Sequence, residues 1–112
     1  MSSAFAKEYR DCPVTIDAVY FKDGFLNGFK KPSRLRKMYF FQCTDDDGST
    51  KTTAMTNEVS GDFFVIEKEL ADRVLDLQKG DKIKVTGTTF IQNYFGMKLG
   101  VYFIVQEIVK NE

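Results

Sequence analysis

Only one stretch of this chain carries a helical period. Between residues 63 and 80, in FFVIEKELADRVLDLQKG after a Gly61-Asp62 break, Leu70, Val74 and Leu77 fall at i, i+4 and i+7. Ala71 and Leu75 lie beside them, and Glu67, Glu69, Asp72, Arg73 and Asp76 are largely on the far side. That spacing gives one short amphipathic helix. Gly80, just after Lys79, is placed to cap its C-terminus in the left-handed region. Elsewhere the apolar residues alternate or run in short β-branched and aromatic blocks, so the rest of the chain must bury itself as strands.

Those blocks predict strands at 14–21 (VTIDAVYF), 38–44 (MYFFQCT), 50–56 (STKTTAMT, from its second residue), 80–91 (GDKIKVTGTTFI) and 99–109 (LGVYFIVQEIV). Residues 22–37 hold Gly24, Gly28 and Pro32 and read as a long loop, as does QNYFGMK at 92–98. Asp46-Asp47-Gly48-Ser49 supplies a tight turn, which makes the second and third strands a hairpin. Three strands, a helix and two strands, mainly β, is the element order of a five-stranded OB-fold barrel with one short helix between strands 3 and 4. A small α+β sandwich with other strand pairing is the alternative. The 112 residues suit a single domain, with residues 1–12 as an N-terminal arm.

Composition removes most chemistries. With no histidine there is no His-based general base, no Ser-His-Asp set and no His ligand for zinc, and Cys12 and Cys43 are too few and too far apart to replace it. The two cysteines read as small buried thiols rather than a disulfide. Asp45-Asp46-Asp47-Gly48 fails as a calcium loop, because the sixth position from Asp45 is Thr50 where glycine is required and the twelfth is Thr56 where glutamate is required. Gly24 and Gly28 have no following Lys-Ser/Thr, so no phosphate loop is present, and no motif selects a catalytic carboxylate pair. The expectation is a protein without enzymatic activity, cofactor, metal or small-molecule substrate. No apolar run approaches the ~20 residues of a membrane span. MSSAFAKEYRD lacks the apolar segment of a secretory signal, which points to the cytoplasm.

What remains is where the charges and rings fall. The 16 Lys and Arg equal the 16 Asp and Glu. By position they separate: 22–37 carries Lys22, Lys30, Lys31, Arg34, Arg36 and Lys37 against Asp23, a local +5, and 58–76 is locally −4. Phe25 and Phe29 lie within the basic loop, and Tyr94 and Phe95 stand beside Lys98 in the second loop. Cations that follow phosphates and rings that stack on unpaired bases are the equipment for single-stranded nucleic acid. A turn at Asp47-Gly48 would pair Thr44 with Lys51, Gln42 with Thr53 and Phe40 with Met55 on the outward face, opposite Phe41, Cys43 and Ala54. Phe40 is then a stacking platform with Lys51 near the phosphates; a one-residue slip would exchange it for Tyr39 and Phe41. Phe25 and Phe29 equally suit a satellite core or a dimer contact, and Tyr94 with Phe95 a self-association tip. Tyr20, Phe21, Phe90, Tyr102 and Phe103 are expected in the core.

KGDKIKVTGTTF at 79–90, with the basic first loop and the aromatic last one, resembles the OB-fold single-stranded-DNA-binding proteins of small DNA phages, most closely those of filamentous phages that infect vibrios. The resemblance spans essentially the whole chain in length and element order. It implies cooperative, sequence-independent coating of newly made viral DNA in the host bacterial cytoplasm during replication, by a homodimer. It places Lys30, Lys31, Arg34, Arg36 and Lys37 on phosphates, Phe40, Tyr94 and Phe95 on bases, and gives the last two a dimer contact as their other role. The chain closes on IVKNE, so recruitment through the acidic tail of cellular bacterial single-strand binders is not expected. Two other readings fit the same residues: an OB module for protein interaction or oligomerisation, and an RNA-binding regulator of cold-shock type.

Overall fold

The computed structural model describes residues 8, 12–25, 31–45, 51–53, 58–94 and 97–110. Its strands are β1 (Val14–Asp23), β2 (Tyr39–Thr44), β3 (Lys51–Thr53), β4 (Glu58–Ser60), β5 (Asp62–Ile66), β6 (Lys82–Tyr94) and β7 (Met97–Lys110). Five of them close a barrel in the order β1-β2-β5-β7-β6. All neighbours are antiparallel except β5 and β7, which run parallel. This is the OB-fold arrangement, with the short helix α1 (Asp72–Leu75) and a preceding 3-10 turn (Lys68–Leu70) between the third and fourth barrel strands.

Alternation sets the two faces of the wall. Ala18, Tyr20, Phe41, Cys43, Phe64, Ile66, Ile83, Val85, Phe103, Val105 and Ile108 point inward and form the core. Val74 and Leu77 close one end of the barrel, with Leu70 packed against them, so the helical period is realised on the expected face. Leu75, expected beside that face, is instead exposed.

Three expectations are corrected. The third barrel strand is β5, not 50–56: both edges of β2 are taken, by β1 and β5, so the hairpin through Asp47-Gly48 does not form. Gln42 pairs with Phe63 and Phe40 with Val65, while Lys51–Thr53 pairs with β4 as a separate two-stranded ribbon. DFFVI is a strand and not the head of the helix, since a strand buried on both faces reads as a continuous apolar run. The helical segment is thereby cut to 68–75, and Gly80 serves the turn at 78–81, where Asp81 N–H bonds Gln78 C=O at 2.9 Å, rather than capping the helix. Last, 92–98 is not an open loop: the β6–β7 ladder runs out to Tyr94↔Met97. Gly87 is required in that ladder because a Cβ there would meet the Ile104 carbonyl and stand 2.9 Å from the Phe103 ring.

The described residues that follow β1, 24–25 and 31–38, bring Phe25, Leu35 and Met38 onto the outer face of the barrel. Gly24, at φ 89°, turns the chain out of β1 while its N–H still bonds Phe40 C=O at 2.8 Å. The Gln42 amide donates to Gly24 C=O at 3.2 Å and accepts from Gly61 N–H at 3.2 Å, so this buried side chain is satisfied while tying two loops to β2. A 3-10 turn, Ser33–Leu35, then plants Leu35 against the wall at 2% exposure. Burying such a side chain stabilises the fold by roughly 1.5–3 kcal/mol, enough to hold the loop down. Near the start of this loop the Tyr20 hydroxyl donates to the Asp23 carboxylate, as does that of Tyr39. Burial followed by the bond to Asp23 pushes the Tyr39 hydroxyl up to about 12 and raises that of Tyr20 as well.

Candidate nucleic-acid interface

The outer face carries a second apolar cluster, built around Leu35, Phe40, Val65 and Tyr102 with Phe25, Met38, Phe63, Phe90 and Ile104 packed on it. Register explains its shape. Phe90 pairs with Tyr102, Tyr102 with Phe63, Phe63 with Gln42 and Gln42 with Lys22. These five side chains form one row across five strands, on the side opposite the core. Neighbouring strands lie about 4.8 Å apart, so the row is roughly 19 Å long. Phe90 and Tyr102 centroids are 6.3 Å apart and Tyr102 and Phe63 6.1 Å. Phe25 reaches in from the loop, 4.9 Å from Phe63 and 5.2 Å from Phe40. Phe25, Phe63 and Phe90 are half-buried, each keeping part of its surface open to a ligand.

Two cations of the basic loop stand on these rings. Lys31 Nζ lies 5.0 Å from the Phe40 centroid and the Arg34 guanidinium carbon 5.1 Å from that of Phe90. Both side chains are exposed, so each ion is held by a ring and still open to solvent. Burial raises the Tyr102 hydroxyl, which keeps it protonated and the row uncharged between its cations.

The sequence-derived site residues divide accordingly. Phe25, Phe40, Lys31 and Arg34 come together on this face. Phe40 is on the outer side, as its alternation with Phe41 and Cys43 implied, yet it is 3% exposed. Its ring is a floor for Phe25 and Lys31 instead of an open platform, because the first loop folds over it. Arg36 and Lys37 are exposed, and Lys37 lines a shallow open groove with Met38, Glu67, Lys68 and Glu69. Lys51 pairs with Ser60 in β3, Tyr94 with Met97 at the end of β6, and Lys98 with Asn93 in β7. Phe29, Lys30 and Phe95 lie outside the described residues.

Phe63, Phe90 and Tyr102 were not anticipated here. Phe63 was masked by the helical reading of its segment. Phe90 and Tyr102 read as core because β6 and β7 are apolar on both faces where the outer cluster covers them. The signal that marks the strand is Phe63-Phe64 directly after the Gly61-Asp62 break.

No family model matches the chain, and a search of curated proteins finds no match. Among solved structures it is similar to the OBody AM3L09 bound to hen egg-white lysozyme, with TM-score 0.58, 12% identity and coverage of 92% of this chain and 84% of that one. The OBody NL8 bound to hen egg-white lysozyme gives 0.54, 13%, 89% and 94%. A small single-stranded DNA-binding protein from Streptomyces coelicolor gives 0.49, 15%, 88% and 93%. At such identities the two OBody structures support the fold alone.

Proposed function

We propose that the protein is a non-enzymatic binder of single-stranded DNA, which crosses the barrel along the Phe90–Tyr102–Phe63 row. The observation that carries this reading is the row itself: aligned rings in three adjacent strands, with Lys31 and Arg34 standing on the rings at its margin. Every base has a π-face, so rings accept any sequence, at about 1–3 kcal/mol per stacked base. Lys31 and Arg34 take phosphates, with Arg36 and Lys37, exposed in the same basic segment, as further cations. The resemblance of residues 79–90 and of the two ring-bearing loops to filamentous-phage single-strand binders supports the finer reading. In that reading a homodimer coats viral DNA cooperatively in the host bacterial cytoplasm during replication.

Fluorescence anisotropy of a labelled dT oligonucleotide tests the proposal. Saturable binding at low salt, with log K falling linearly against log salt, is the expected result. Absence of binding at low salt overturns it, and a strong preference for a U oligomer over dT reassigns the site to RNA.

A further inference from the structure

The ring row ends at Lys22, but the surface of rings and cations continues. The β1–β2 register is irregular between Tyr20, which pairs with Cys43, and Lys22, which pairs with Gln42. A bulge gives one extra residue to one strand and re-aims the side chains around it. Here Tyr20 stays in the core, Lys22 joins the outer row through Gln42, and Phe21 is the extra residue between them. Phe21 is half-buried and belongs to neither apolar cluster. Lys22 Nζ stands 5.6 Å from its ring centroid.

A second ammonium reaches the same ring from a distant segment. Tyr20 N–H bonds Asp81 C=O and Gly80 N–H bonds Tyr20 C=O, both at 2.9 Å, which pins the turn at 78–81 to β1. Lys79, exposed in that turn, is thereby held 5.1 Å from the Phe21 centroid. The arrangement repeats the Lys31–Phe40 and Arg34–Phe90 pairs, with cations supplied by two separate elements.

We infer that Phe21, flanked by Lys22 and Lys79, is a further stacking position for the same DNA strand, occupied once the strand has crossed the outer row and turned onto β1. The inference rests on the single-strand reading proposed above. A base on Phe21 would lie beside the exposed Lys79 ammonium, which is placed to meet its phosphate.

Length of DNA separates this position from the main row. Wild type, Phe21→Ala, Phe21→Tyr and Lys79→Gln are titrated with dT oligonucleotides of about 6 and about 14 nucleotides, within the range of sites on one OB-fold. For the longer oligonucleotide Phe21→Ala should weaken binding roughly 5- to 150-fold, the loss of one stacked base, and Phe21→Tyr, which keeps a ring, should restore it. Lys79→Gln should flatten the log K against log salt slope by about 0.7. For the shorter one all four proteins should bind alike. Equal binding of the longer oligonucleotide by wild type and Phe21→Ala overturns the inference and leaves the main row standing. Equal weakening at both lengths also overturns it, since Phe21 would then act through the fold. Failure of wild type to bind either length removes the single-strand reading itself.

Discussion

Lys31 and Arg34 can be tested apart from the rings that hold them. In the double substitution Lys31→Gln and Arg34→Gln, two ammonium or guanidinium contacts to phosphate are lost and the aromatic wall is kept. Each phosphate contact with a single strand contributes a slope of about −0.7 in log K against log salt, so two contribute about −1.4. Raising salt fourfold, from about 50 to about 200 mM, should therefore shrink the affinity deficit of the variant about sevenfold. The fold should survive: an exposed cation–π contact stabilises by about 0.5–1 kcal/mol, so losing those at 5.0 and 5.1 Å costs at most ~2 kcal/mol. Anisotropy titrations at several salt concentrations, with a thermal melt of each protein, supply the numbers. A deficit that stays constant with salt would refute the phosphate role and leave the two cations as covers for Phe40 and Phe90.

Other expectations concern the scaffold. Gly87→Ala drives a methyl into the Ile104 carbonyl and the Phe103 ring; a loss toward the upper end of ~1–3 kcal/mol should appear in urea unfolding, and a neutral result would mean that the β6–β7 ladder yields easily. Because the folded state holds the Tyr39 proton above its ordinary pKa of 10, up to about 12, that stability is complete below pH 10 and is lost as pH rises through 12. Tyr39→Phe should flatten the decline of stability over that window, and an unchanged decline contradicts the assignment. Cys12, read from the sequence as a buried thiol, is exposed, whereas Cys43 is buried, and burial first and then Asp62 push its thiol up. One thiol per native chain should react promptly with a disulfide reagent and a second only on unfolding; two prompt thiols would deny the burial of Cys43.

Local signals in the sequence reach as far as element order and sidedness. The alternation of Phe40 against Phe41 and Cys43 assigned their faces correctly even though the proposed partner strand was wrong, because side-chain parity belongs to the strand itself. Partner choice does not. Residues 50–56 and 62–66 are both β-prone and both follow β2, and nothing local says that β5 closes the barrel while 51–53 pairs with 58–60. That outcome is decided by the parallel contact of β5 with β7, about forty residues away, with Phe63↔Tyr102 through Ile66↔Val105 in register. The same limit hid the ring row: Phe90, Tyr102 and Phe63 lie far apart in the chain and become neighbours only when the wall closes. The basic loop was legible as a cluster of cations and rings, but not its folding over Phe40, which depends on Leu35, Gln42 and Gly24.

Closure of the barrel also reconciles a net charge of zero with the proposed binding of a polyanion. The helix segment, with exposed Glu67, Glu69, Asp72 and Asp76, caps one end of the core, while Lys31 and Arg34 are carried onto the outer wall by a loop held at Gly24 and Leu35. Screening confines the field of an exposed charge to about 10 Å at 0.1 M salt, so a phosphate on the ring row responds to the cations beside it far more than to the molecular total. A uniformly basic domain would bind a strand more tightly at low salt but would repel its neighbour on the same strand. Under the proposed single-strand reading, the cations Lys31 and Arg34 on the wall and the carboxylates of the helical segment would let adjacent molecules set unlike charges against each other, which would lower the electrostatic penalty of crowding along the DNA.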